Sequence, residues 1–350
     1  MRQMRIPTTL VIALTLLTAA CSSEEQTDTP ETIRLIAHDS FAGAVDESTF
    51  ASFTEETGVT VEVIPAQDAG SMVNQVILSK DNPLADVLFG IDDTFLSRAV
   101  DEGVFAPYES ANIGTVDGSL LAPGGDVTPI DYGDVCFNYD KDWFEQNQMD
   151  VPDDLDDLRG DTYAPLVTVE HPATSSPGLA FLLATIDTYG ENGWLEWWAE
   201  MRDAGINIAT DWDTAYYGDF TRYGGDSPIV MSYASSPPAE VIFAEEPPDI
   251  APTGVIEAGC YRQIEYAGIL EGTEYPETAG QLIDFMLSTG FQETIPETWF
   301  VFPANSEAAL PETFVEHTVI PADPARFDYT YIEDNREKWI DEWVAVMEDR

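Results

Sequence analysis

Basic side chains are scarce: 14 lysines and arginines stand against 65 acids in 350 residues, a formal net charge of -51 at pH 7. Such a field repels phosphate backbones and excludes nucleic acid as a partner bound through a basic surface. Lysine occurs at Lys80, Lys141 and Lys338 alone. Acidic surfaces poor in lysine suit concentrated salt, which screens self-repulsion, so a halophilic or halotolerant source is expected, with refolding yield rising with salt. Histidine is as rare: His38, His171 and His317 are far apart and form no metal-ligand spacing. There is no glycine-rich phosphate loop, and Gly225-Asp226-Ser227-Pro228 reads as a turn, not a nucleophile elbow. Neither an enzyme activity nor a cofactor is therefore expected. What the chain does have is apolar mass, 44% hydrophobic and 11% aromatic residues, too much for a disordered acidic protein. Its length suits two or three domain-sized units with a large core.

The one apolar run at the start, Leu10 to Leu17, follows Arg2 and Arg5 and is too short to span a bilayer, so residues 1–20 read as a signal peptide. It ends Leu17-Thr18-Ala19-Ala20-Cys21, which resembles the lipobox of bacterial lipoproteins, with Thr18 where a larger aliphatic is usual. The resemblance implies that Cys21 is lipidated, an extracytoplasmic chain held at the membrane by its lipid alone. Residues 21–31 are then the anchor and a polar, acidic tether. In an oxidising compartment Cys136 and Cys260 are expected to form a disulfide rather than remain free thiols.

From Thr32 onward strand and helix alternate, which implies βαβ units and an α/β fold. Strands are predicted at Thr32–Ala37, Val59–Ile64 and Ala85–Phe89, with helices at Asp46–Thr57 (stopped by Gly58) and Gly70–Ser79. The second part repeats the logic. A long strand, Ile130–Tyr139, links two sheets; Asp153–Arg159 and Gly178–Tyr189 read as helices; Leu166–Val169, Ile206–Ala209 and Ile229–Tyr233 read as strands. Tyr261–Ile269 carries the chain back. Two lobes follow, residues 32–130 plus 262–350 and residues 131–261, and Cys136 and Cys260 both fall in the connections between them. Trp339, Ile340, Trp343, Val344 and Met347 share one face of a terminal helix, as core anchors.

Ligands of such sheets sit beyond the carboxyl ends of the strands. Asp39, Asp68 and Asp92 each end a predicted strand–helix junction there, although each alone is an ordinary cap or turn residue. Ser175-Ser176-Pro177 and Ser235-Ser236-Pro237 each open a predicted helix; a Ser-Pro start leaves N–H groups and a dipole that favour an anion. Trp212, flanked by Asp211 and Asp213, is awkwardly placed for a core tryptophan, and Tyr233, Trp299 and Phe300 stand in or beside loops. Aromatic faces near carboxylates suit a flat cationic ligand.

These stretches, together with Asp131-Tyr132-Gly133 and Trp339-Ile340-Asp341-Glu342-Trp343, occur in an order that resembles the thiamine-binding solute-binding proteins of ABC importers. The resemblance implies a two-lobed type II periplasmic-binding-protein fold, each lobe a mixed, mainly parallel sheet flanked by helices, with a ligand cleft between lobes. It implies a monomer that captures thiamine, its monophosphate or its diphosphate and passes it to a membrane permease and its ATPase. By position, ligand contacts fall on Asp68 and Ala69, Ser175 and Ser176, Trp212, and Tyr233 through Ala234, Ser235 and Ser236. Three positions depart from the pattern: His38 and Ala239 replace tyrosines, and Phe300 replaces a tryptophan, with Trp299 beside it. Two other readings are open. Tyr216-Tyr217 resembles the adjacent tyrosine ligands of ferric-ion-binding importer proteins, and the serine helices suit a secreted phosphatase of a phosphorylated vitamin, which lacks a nucleophile–base pair here.

Overall fold

Alternating burial organises the first strand, β1 (Thr32–Ala37): Ile33, Leu35 and Ala37 pack into one hydrophobic cluster and Ile36 into another on the opposite face. The computed structural model describes residues 29–348, so the predicted signal peptide, Cys21 and most of the tether lie outside the described residues. After β1 come α1 (Asp39–Ala44), α2 (Ala51–Thr57), β2 (Thr60–Pro65), α3 (Ala69–Leu78), β3 (Val87–Asp92), α4 (Leu96–Asp101) and the short β4 (Phe105–Ala106). The middle holds β5 (Thr128–Asp140), α5 (Lys141–Asn147), β6 (Val167–Glu170), α6 (Ser176–Ala204), β7 (Asn207–Ala209), β8 (Ile229–Tyr233) and α7 (Pro237–Ile242). The chain ends with β9 (Thr253–Leu270), α8 (Pro276–Met286), α9 (Thr289–Gln292), α10 (Ile295–Thr298), β10 (Phe302–Pro303), α11 (Glu312–His317) and α12 (Tyr329–Met347).

The main strand order is β2-β1-β3-β9-β5-β8-β6-β7, with β4 on β9 and β10 on β5. Each flank is parallel, β2-β1-β3 and β8-β6-β7, and the centre is antiparallel. This is an α/β fold of two halves joined by β5 and β9, which run side by side from Thr128 opposite Ala267 to Asp140 opposite Thr253. Their register shifts between Val135 and Phe137, and there Cys136 is disulfide-bonded to Cys260, 124 residues away in sequence. The bridge thus sits on the connection between halves. Helix α12 packs along α6 and touches α4, so it straddles both halves, with Trp339 and Trp343 buried.

Two predicted helices differ. The segment from Asp46 to Phe50 is a turn, because the Asp46 carboxylate accepts hydrogen bonds from the Ser48 amide and hydroxyl; α2 starts only at Ala51 and does end at Gly58, whose φ is 77°. Residues 153–159 form turns in which the Asp154 and Asp157 carboxylates accept the backbone N–H groups of Asp157 and Asp153, local bonds that stand in place of a helical ladder. Conversely, the helix expected to stop at Tyr189 continues to Ala204 after a break at Gly190 (φ 67°), and buries Trp194, Trp197 and Trp198.

Candidate ligand-binding cleft

The carboxyl ends of β1, β2, β6 and β8 open on one cavity of about 420 Å³ between the two halves. At the end of β1, His38 caps α1: its Nδ1 accepts the Phe41 amide at 3.2 Å, which leaves the proton on Nε2. That nitrogen lies 3.3 Å from Oε1 of Glu265, on β9. Gly90 makes room for the imidazole, since a Cβ at that position would overlap the ring. Asp39 accepts the Gln67 amide at 2.8 Å and ties the β1 and β2 ends together. Asp68 caps α3 through the Ala69 amide (2.7 Å), and its other oxygen accepts the Trp212 amide (3.3 Å) from the opposite half.

From the second half, Trp212 lies flat against Tyr216, with centroids 5.0 Å and planes 11° apart, while Nε1 donates to Ser232 Oγ at 3.1 Å. One indole face is therefore occupied and the side chain lines the cavity. Ser176 lies in the first turn of α6, where its Oγ accepts from Gln263 Nε2 at 3.0 Å; Tyr233 donates its hydroxyl to Gln263 Oε1 at 2.9 Å. Trp299 and Phe300 close a third side. Phe300 holds φ at 59°, a strained conformation for an aromatic residue, and Trp299 Nε1 donates to Asp131 Oδ2 at 3.0 Å.

Nine of the residues singled out in the sequence line this cavity: His38, Asp39, Asp68, Ser176, Trp212, Tyr233, Ser236, Trp299 and Phe300, and so does Ala239. Ala69, Ser175, Ala234 and Ser235 are buried behind the wall, so one serine of each pair faces the space. Ser175 caps α6, accepting the Gly178 amide. Ser236 caps nothing with its side chain; its hydroxyl instead accepts the Tyr233 amide and pairs with Ser232, and α7 is only six residues long. The two Ser-Pro starts are thus not equivalent anion sites. Asp92 is a correction of another kind: it is fully buried, receives Thr94 Oγ1 and the Phe95 amide, and supports the start of α4 instead of facing the cavity.

Sequence reasoning missed Glu265 of the lining, and took Asp213 only as a neighbour of Trp212 and Tyr216 only as one of a possible metal-binding pair. For Glu265 a signal existed: Gln263 and Glu265 are polar residues two apart, hence on one face, just before the apolar end of the strand, and both are buried, which demands a reason. The electrostatics supply part of it. Burial works against a charged His38, but the neighbouring Glu265 outweighs it and holds the imidazole above its ordinary value. Burial likewise raises Glu265, yet His38 draws it below the usual range. Asp131, next in line, is pushed well up by burial and then by the charge of Glu265, which favours its protonated form. Asp68 is raised by its burial. Of the tyrosine pair, Tyr216 donates its hydroxyl to Glu240 at 3.1 Å and burial lifts it well above its ordinary value, so it is engaged with that carboxylate and held in its neutral form.

Comparison with known proteins places this geometry. A family model described as "Bacterial extracellular solute-binding protein" matches residues 82–335. The thiamine-binding periplasmic protein of Salmonella typhimurium is 29% identical over 300 residues, which cover 85% of this chain and 86% of that one. A solved structure of a periplasmic thiamin binding protein superposes with a TM-score of 0.79 at 27% identity, over 90% of this chain and 96% of the other. Iron-bound HitA from Pseudomonas aeruginosa shares the fold, with a TM-score of 0.72 at 18% identity over 91% and 99% of the two chains. The chain belongs to the bacterial extracellular solute-binding proteins.

Proposed function

We propose that this protein captures thiamine, or its mono- or diphosphate, outside the cytoplasm and delivers it to an ABC permease and its ATPase. The observation that carries the reading is the composition of one cavity: an indole braced on one face by Tyr216, buried and rim carboxylates, and the first turn of α6. A flat cation stacks on the indole and is drawn by the acids, while a hydroxyl or phosphate tail meets Ser176 at the positive end of α6. Relatives named for thiamine binding support the same ligand. Contacts from both halves favour a closed state by differential affinity, which is how capture becomes a signal to the permease. Attachment through a lipid on Cys21 and a monomeric state complete the proposal. Titration calorimetry with thiamine, its two phosphates and ferric citrate tests it. Heat from any thiamine form with none from ferric citrate is the expected result, and silence with all three thiamine forms rejects the ligand.

A further inference from the structure

The carboxylates of the cavity are not alike. Asp39 and Asp68 already accept backbone amides, and Asp213 lies at a partly exposed position. Glu265 is 7% exposed and lines the cavity, yet among the described residues no N–H or O–H donor forms an aligned hydrogen bond to it; His38 Nε2 approaches at 3.3 Å without such alignment. A carboxylate offers about four acceptor positions, and a buried acceptor left unmet is costly. His38 stands against one side of this carboxylate, so its remaining acceptor positions are directed at the cavity and offer direction as well as charge. That favours a ligand N–H over a bare cation.

Strand β9 also gives the floor a polarity. Gln263 and Glu265 project from the same face, about 7 Å apart; the first holds Ser176 beside the α6 N-terminus and the second meets His38. An acceptor-seeking end and a donor-seeking end are therefore set along one line. We propose that Glu265 is a specificity-determining residue, whose carboxylate accepts a hydrogen bond from the exocyclic amino group of a bound aminopyrimidine. This rests on the thiamine reading and adds an orientation to it: pyrimidine toward Glu265, hydroxyethyl or phosphate tail toward Ser176.

The test compares thiamine with oxythiamine, in which the amino group is replaced by a carbonyl oxygen that would face the carboxylate. With the full chain in detergent, calorimetry should show thiamine preferred by roughly 10- to 100-fold, as for a hydrogen bond to a charged acceptor. Glu265→Gln, whose amide can donate to the carbonyl, should shrink that ratio by about tenfold or more. Equal affinity of the unaltered chain for both ligands overturns the proposal, as does a Glu265→Gln protein that keeps the full preference. Should the variant not fold, thiamine carrying ¹⁵N at the amino group gives the answer on the unaltered chain. Amino protons moved downfield and protected from exchange support the contact; free-ligand shifts and exchange rates reject it. If no thiamine form binds at all, the ligand reading falls and this falls with it, whereas binding without discrimination removes Glu265 alone.

Discussion

The amide of Gly70, at the start of α3, donates to the carbonyl of Thr174 at 3.0 Å and so joins the two halves directly beside the cleft. The approach is as close as glycine allows. A Cβ at position 70 would lie 2.8 Å from the carbonyl oxygens of both Ala173 and Thr174, and 2.9 Å from the Phe95 ring. With the Asp68 to Trp212 bond two residues earlier, this contact is made only when the halves meet.

Gly70→Ala should therefore penalise the closed state. Forcing one extra carbon against packed backbone costs about 1–3 kcal/mol, roughly 5- to 150-fold in ligand affinity. Calorimetry would read the loss, and small-angle scattering of the liganded protein would show a larger radius of gyration. Unchanged affinity and dimensions would mean that closure does not use this contact.

Trp212→Ala removes the indole that Tyr216 braces. Loss of stacking and cation–π attraction should weaken thiamine binding by about 1–3 kcal/mol, with little effect on the melting temperature because the side chain is only partly buried. An equal loss of stability and affinity would recast Trp212 as a packing residue.

The parallel flanks were largely legible in the sequence because their strands are short apolar runs, and β1 and β8 occupy the spans that composition alone marks; β9, expected from Tyr261, begins at Thr253, a stretch in which Glu257 breaks the apolar signal. Helix starts were less legible: Asp46, Asp154 and Asp157 spend their carboxylates on local turns, which pattern cannot distinguish from capping. The cleft was half legible. Residues at strand ends, such as His38, Asp68 and Trp212, are marked by position, but whether a residue faces the cavity or lies behind it depends on rotation by one residue, as Ser175 and Ser176 show. Glu265 lies in mid-strand, where only the burial of a polar residue betrays it.

Reducing the Cys136–Cys260 bridge should destabilise the protein. It closes a loop with a sequence separation of 124 residues, which contributes about 2–5 kcal/mol by restricting the unfolded chain. Urea unfolding with and without reductant, or of the Cys136→Ser/Cys260→Ser protein, should show a lower midpoint in the reduced form. Since the bridge joins β5 and β9 between the halves, ligand affinity should change far less than stability.

The buried acids and His38 set the direction of the pH response. His38 is raised in the folded protein, so its stabilising contribution is complete below its unfolded value of about 6.5 and is lost as pH climbs through the folded value. Asp131, Asp92 and Glu170 are raised by burial, so the folded state binds their protons more tightly than the unfolded chain does, and stability falls as pH rises above about 4. Glu265 acts oppositely: it is lowered, so its contribution is present above about 4.3 and is lost as pH falls through the folded value. Melting temperature at constant high salt should therefore be greater at pH 5–6 than at pH 9. Glu265→Gln removes the partner that raises His38 while burial of the imidazole remains, so the His38 proton should titrate at lower pH in the variant, visible in its imidazole NMR signals. A His38 value that does not move would show that Glu265 is not what holds the proton there.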